Sequence, residues 1–187
     1  ANGFTIGSQL SVNKLNHKFC AWSWPVLPNF FDIVTYTGNA KNATSKQTIS
    51  HNLGAEPGLI IAKPSDTTGK NHNLDIYHCG ANGGSNSQNY TYALNDGTIT
   101  NSFGLSWGDK PTSTTFSVKG NNGANEDGRE YTAWLWPKSS PYVACGSYTG
   151  TGSSGQIITL PSSFQATPQW IMIKTVSYTH LTLPTTD

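Results

Sequence analysis

The chain reads as an all-β protein, an antiparallel β-sandwich or jelly-roll-like module, on three observations. Ser, Thr, Asn and Gly supply 79 of the 187 residues, the texture of short strands joined by turns. Six Trp, eight Tyr and seven Phe bring enough large apolar groups to close a core, which a disordered polar linker lacks. No apolar pattern of period 3.6 persists over three helical turns, so long amphipathic helices are not expected.

Taken in order, strands are predicted at Phe31–Thr37, Gln47–His51, Gly58–Lys63, Asp75–His78, Tyr90–Ala93, Phe103–Trp107, Thr114–Val118 and Arg129–Trp136. Each is a short run rich in β-branched or aromatic residues. Between them, Asn95-Asp96-Gly97, Asn121-Asn122-Gly123 and Glu126-Asp127-Gly128 supply turns that need positive φ, and Gly83-Gly84 marks a loop tip.

Charged residues are 11% of the chain and the formal net charge is +1, against a usual charged share of roughly 25%. Without a run of Lys or Arg there is no electrostatic footprint for a phosphate backbone or an anionic bilayer surface, so no nucleic-acid partner is expected. The densest apolar stretches, 59–62 and 170–173, fall far short of the roughly 18–20 residues that cross a bilayer, so no membrane insertion is expected.

An internal repeat sets the organisation. At an offset of 112, Ala21-Trp22-Ser23-Trp24-Pro25 lies over Ala133-Trp134-Leu135-Trp136-Pro137. Phe4-Thr5-Ile6 lies over Phe116-Ser117-Val118, Phe19 over Tyr131, and Thr35-Tyr36-Thr37-Gly38 over Ser147-Tyr148-Thr149-Gly150. After a one-residue gap, Pro57-Gly58-Leu59-Ile60-Ile61-Ala62-Lys63 lies over Pro168-Gln169-Trp170-Ile171-Met172-Ile173-Lys174. Tandem repeats of about 111 residues explain all of these matches. Cutting at the short Pro-containing junctions near 26 and 138 makes 1–26 the C-terminal part of a preceding repeat, 27–138 a complete one, and 139–175 the N-terminal part of a following one. The chain is expected to be a fragment of a longer protein. Residues 176–187 resemble one reading frame of a transposase-type sequencing adapter, as an environmental sequence assembly would leave it; they are set aside as a non-native tail, which removes His180 from the functional candidates.

The order of motifs resembles a known family. Phe31-Asp32-Ile33-Val34-Thr35-Tyr36-Thr37-Gly38-Asn39, Ile49-Ser50-His51-Asn52-Leu53-Gly54, Pro57-Gly58-Leu59-Ile60-Ile61-Ala62-Lys63, Tyr77-His78 and Pro111-Thr112-Ser113 together resemble a repeat of tail-fibre-like and other virion proteins of tailed, chiefly marine, bacteriophages. The resemblance implies a virion location, outside the cell, and a structural or adhesive role without catalysis. It implies other virion proteins or copies of the chain itself as partners, a homotrimer among the assemblies, with host-surface glycans as a further ligand class. Cys79 stands where the family usually has a basic residue, so no binding role transfers to that position. The alternative is a carbohydrate-binding module of a secreted polysaccharide-degrading enzyme.

Site candidates are few. Trp22 with Trp24, and Trp134 with Trp136, are two apart on strands and share a face; the area a buried Trp removes from water assigns them to the core. Trp107, at a strand end entering the polar stretch Gly108-Asp109-Lys110, is the leading sugar-stacking candidate; Tyr90 and Tyr92 are secondary ones, projecting from one strand face beside a Gly/Asn-rich loop. His72, Asp75, His78 and Cys79 carry metal-compatible groups, but strand alternation splits them between faces and no metal site is expected. Asn121, Asn122, Asn125, Glu126, Asp127 and Glu130 lack the alternating acids of a calcium loop and read as a hairpin turn. Cys20, Cys79 and Cys145 have neither metal-ligand spacing nor an even number, and read as buried free thiols. No nucleophile elbow, phosphate loop or zinc-protease motif occurs, so neither a cofactor nor an enzymatic activity is expected.

Overall fold

The central strand β8 organises the architecture. In β8 (Glu130–Pro137), Tyr131, Ala133, Leu135 and Pro137 are buried, while Thr132, Trp134 and Trp136 between them are half-buried. The two-residue period sends the two sets to opposite faces. On one side β8 pairs antiparallel with β1 (Asp32–Thr37), from Asp32 opposite Leu135 to Thr37 opposite Glu130. On its other side it pairs antiparallel with β3 (Pro57–Pro64), Ile60 opposite Leu135 and Ala62 opposite Ala133, with a register shift between Pro57 and Leu59. The sheet continues through β4 (Asp75–His78), β5 (Tyr90–Tyr92) and β6 (Ile99–Asn101) in the order β1-β8-β3-β4-β5-β6.

The structure, a computed structural model, describes residues 3–65, 74–92, 99–101, 106–121, 123–174 and 181–182. A separate two-stranded ribbon pairs β2 (Lys46–Ser50) with β7 (Thr115–Lys119), and a third small sheet pairs β9 (Ile173–Lys174) with β10 (Leu181–Thr182). Every strand pair is antiparallel. Two 3-10 turns, Ala81–Gly84 and Ser87–Asn89, link β4 to β5. Among the described residues there is no α-helix, and the protein is all-β.

One core joins the large sheet to the ribbon. Ile49 of β2 and Phe116 and Val118 of β7 meet Ile60, Ala62, Tyr77, Ala133 and Leu135 of the six-stranded sheet, with Leu53, Trp107 and Ala124 closing the edges. Each large apolar side chain so buried contributes about 1.5–3 kcal/mol. The two tryptophans of β8 correct the sequence reading: Trp134 and Trp136 lie on the face away from this core, which Ala133 and Leu135 fill instead. Both faces of β8 are apolar, and the ribbon covers the one carrying the smaller side chains.

The motif residues turn out to be joints of the fold. The Asp32 carboxylate accepts the Ile33 amide at 2.9 Å and the Asn52 amide at 2.7 Å, tying β1 to the turn after β2. His51 accepts the Leu53 amide on Nδ1 at 3.2 Å and turns Nε2 to the Thr112 carbonyl at 3.3 Å. Those contacts fix the neutral tautomer with the proton on Nε2, and burial lowers the imidazole pKa in agreement. The Tyr36 hydroxyl donates to the Ala124 carbonyl at 2.7 Å, and Gly38 runs so close to the 125–126 backbone that a Cβ there would sit 2.2 Å from the Glu126 oxygen. The sequence motif Thr-Tyr-Thr-Gly is thus the interlock of β1 with the turn before β8.

Against the predicted strands, β6 is an addition, and positions 103–105 of the predicted strand Phe103–Trp107, like Ala93, His72 and Asn122, lie outside the described residues. Residues 3–26 and 146–172 contain no strand and carry most of the exposed large apolar side chains, Trp22, Trp24 and Trp170 among them. For Trp22 and Trp24 too, the core assignment is corrected.

Candidate functional site

The three stacking candidates do not form a platform. Trp107 bridges to Val118 of β7 and is only 4% exposed. Its ring meets Tyr77 at 5.9 Å and Phe116 at 6.4 Å, both edge to face, the arrangement aromatic quadrupoles prefer. Among the described residues its indole N–H has no hydrogen-bond partner. Stacking on a sugar needs an open ring face, and Trp107 has none: the sequence reading is corrected because packing against Tyr77 of β4 and Phe116 of β7 overrides the polar residues beside it. Tyr90 is half-buried and packs with Ile76, Ala81, Leu59, Ile61 and Leu74 on the other face of the sheet. Tyr92 lies opposite Ile76 in β5; its side chain lies outside the description.

Exposed aromatic surface collects instead where the chain enters and leaves the domain. Trp24, 44% exposed, approaches Phe31 at 6.1 Å and Trp136 at 5.9 Å, and Phe31 approaches Trp136 at 5.1 Å. Nearby, Phe30 meets Tyr142 edge to face at 6.3 Å, and Tyr142 is 68% exposed. The sequence does carry a signal for this cluster, since Trp24 and Trp136 align at the offset of 112.

At the same end of β3 and β8 lies a cleft of about 170 Å³, lined by Glu56, Tyr77, Cys79, Lys110, Lys138 and Cys145 among others. Glu56 Oε1 stands 3.4 Å from Lys110 Nζ and 3.7 Å from Lys138 Nζ. Tyr77 shares a hydrogen bond of 3.1 Å with Ser87, yet burial pushes its phenol up to about 12. The Cys79 thiol points at the Cys145 carbonyl at 3.6 Å; burial raises its pKa, and burial with the neighbouring Cys79 raises that of Cys145 to about 12. Both thiols are therefore protonated at neutral pH and poor nucleophiles. Among the described residues that line it, the cleft offers one carboxylate between two ammonium groups and two protonated thiols.

The remaining candidates fall apart as strand alternation requires. Asp75 faces the Tyr36–Tyr131 side and accepts the Ser106 hydroxyl at 2.8 Å, with burial raising its pKa to about 6. His78, one face away, accepts the Gly80 amide on Nδ1 at 3.0 Å, and burial lowers its pKa. Among the described residues no three metal-compatible side chains converge. The Asn- and acid-rich turn is held structurally: Asn125 Oδ1 accepts the Asn39 amide at 3.0 Å and Arg129 pairs with Glu126 at 3.1 Å. All three cysteines are free, but Cys20 is exposed, which corrects its reading as a buried thiol.

The fold and its surfaces define an antiparallel β protein of two sheets on one core, without an assembled catalytic constellation among the described residues. The chain belongs to the DUF7483 family, described as a domain of unknown function, which it matches over residues 28–182. The matched span begins at the entry to the described domain, runs on past residue 138, and takes in residues 176–182 of the segment that resembles an adapter. No curated protein and no solved structure matches the chain.

Proposed function

We propose that the chain is a non-enzymatic structural and adhesive module of a tailed-phage virion, a β-sandwich carried in tandem repeats of about 111 residues on a tail fibre or similar appendage. One observation carries this reading. The residues that recur at the repeat offset correspond to β1, β3, β7 and β8, the strands that build the shared core, so what the sequence repeats is a structural framework. The motifs behind the phage resemblance point the same way, because Asp32, His51, Tyr36 and Thr112 fasten loops to strands instead of lining a cavity. A surface low in charge suits a particle exposed to the medium. Glycan contact in this reading falls to Tyr142, whose ring is open, and not to Trp107.

The test is proteomic and visual. Peptides of this chain are expected in density-purified tailed particles, with gold-labelled antibody against residues 27–138 on an appendage. Peptides confined to a secreted, polysaccharide-degrading fraction would overturn the reading and favour a carbohydrate-binding module.

A further inference from the structure

Two cysteines far apart in sequence meet at one point of the fold, and the backbone shows why. After β8 the chain turns back on itself over residues 138–145. The Lys138 amide bonds the Glu56 carbonyl at 2.8 Å, the Ser140 amide bonds the Val143 carbonyl at 2.8 Å, and the Cys145 amide returns to the Lys138 carbonyl at 2.9 Å. The Ser140 hydroxyl accepts the Tyr142 and Val143 amides at 3.2 and 3.0 Å, which fixes the turn from inside. Its end then crosses the start of β3 and the end of β4, where two glycines make room for it. A Cβ on Gly58 would sit 2.7 Å from the Cys145 Cβ, and one on Gly80 would sit 2.9 Å from the Ser147 Cβ. Cys79 lies between those two positions: it precedes Gly80 in the chain, and its amide bonds the Gly58 carbonyl across the ladder at 2.8 Å.

Leu59 stands opposite His78, so Gly58 and Cys79 form the next facing pair, and facing residues of antiparallel strands hold their Cβ positions about 4.5–5.5 Å apart on one side of the sheet. Cys145 fills the place that a Gly58 side chain would take, which sets it beside the Cys79 side chain. The Cys79 thiol already reaches the Cys145 carbonyl at 3.6 Å, and both residues line the same cleft. We propose that Cys79 and Cys145 are a redox pair, closing into a disulfide when they meet a small-molecule disulfide such as oxidised glutathione. Rotation of the two side chains over an unmoved backbone brings them to the Cβ separation of about 3.5–4.5 Å that the bond needs. The half-buried Cys145 attacks first, as thiolate, on one sulfur of the reagent and releases one glutathione. Cys79 then attacks the Cys145 sulfur of the mixed disulfide and releases the second. Two hydrogens pass from the protein thiols to the two glutathiones, so the step balances without a further oxidant. The bridge joins positions 66 residues apart and fastens the turn after β8 to the end of β4. The burial that makes both thiols poor nucleophiles also makes them poor leaving groups, so the bridge resists reduction once formed.

The test uses the full chain carrying Cys20→Ser, which removes the exposed thiol and with it disulfides between molecules. Because buried thiols exchange slowly, the chain is refolded from urea in a glutathione redox buffer, quenched with acid, alkylated and weighed intact. The expected product is lighter than the reduced chain by two hydrogens, takes up neither alkylating reagent nor glutathione, and yields on digestion a peptide pair joined through 79 and 145. Its equilibrium constant against glutathione should exceed that of the same chain held in urea by on the order of 10², because a flexible loop alone supplies only about millimolar effective concentration. By linkage that ratio raises Tm of the bridged form by roughly 5–10 °C. Cys145→Ser in the same background should end as a free thiol or a glutathione adduct, with no such rise. A refolded chain with both thiols free, or an equilibrium constant no larger than in urea, would overturn the pair, since either means that the fold holds the two cysteines apart. Neither outcome bears on the virion reading, which is tested on particles.

Discussion

Replacing Tyr131 by Phe removes one oxygen from the centre of the interlock between β8 and the turn before it. That hydroxyl donates to the Gly123 carbonyl at 2.6 Å and accepts the Glu126 amide at 3.1 Å. The ring stacks on Tyr36 at 5.2 Å, and Tyr36 donates to Ala124 in the same turn. Tyr131→Phe keeps the stack and strands one carbonyl and one amide in part-buried surroundings, which costs about 2–3 kcal/mol for the pair. Tyr36→Phe strands a single carbonyl and is expected to cost ~1 kcal/mol. In a domain of this size the larger loss lowers Tm by about 8–12 °C. Urea melts of both variants, read by tyrosine-independent far-UV dichroism, measure the difference. Equal losses, or a loss below ~0.5 kcal/mol for Tyr131→Phe, would refute the claim that its hydroxyl holds the turn.

Three further outcomes follow from the same geometry. Asp75, raised from 3.8 to about 6 by burial against the Ser106 hydrogen bond, holds its proton in the folded state longer than in the unfolded one. Stability is therefore fully present below about pH 4 and falls as pH rises to about 6; the full separation is worth at most ~3 kcal/mol, less for the screening at a half-buried residue. Asp75→Asn should flatten that slope in melts at pH 4 to 7, and an unchanged slope would show that another group sets it. Gly38→Ala should cost about 2–3 kcal/mol, because its Cβ meets the Glu126 oxygen at 2.2 Å and the Asn125 carbonyl carbon at 2.8 Å, both backbone atoms; a neutral melt would show that the turn moves freely. With a thiol reagent at neutral pH, Cys20 should react at once, the half-buried Cys145 more slowly, and the buried Cys79 slowest, since burial shields the latter two and raises their pKa. Three equally fast thiols would refute the packing of residues 138–145 on the domain.

Most of the strand framework was legible because it is local. Asp75–His78 was predicted with its observed bounds, and β1, β2, β3, β7 and β8 were displaced by a residue at most at either end. Each announces itself through β-branched and aromatic runs. β6 was not legible: in Ile99-Thr100-Asn101 a single apolar residue cannot establish alternation. The sites failed for a different reason. Whether Trp107 is open or sealed depends on Tyr77, thirty residues upstream, and on Phe116 across the ribbon, and nothing in Ser106-Trp107-Gly108-Asp109 reports that packing. Likewise β8 carries apolar side chains on both faces, so its own pattern does not say which face the ribbon will cover. The Glu56–Lys110–Lys138 cleft had no sequence signal at all, being assembled from three separate segments.

The chain enters the domain at Asp32 and leaves it at Pro137, at the same end of two neighbouring antiparallel strands. Were such domains strung in tandem as proposed, tension would pull β1 and β8 apart from that end. The Asp32–Leu135 pair bears the load first, and each later pair only after the one before it has given way, whereas strands drawn from opposite ends would share the load across the whole ladder. In the proposed fibre, such domains would lengthen under modest force by unzipping one at a time, and would reclose when slack returns. In single-molecule pulling, low and evenly spaced unfolding forces would mark it as an extensible tether; a rigid strut would yield late and at high force.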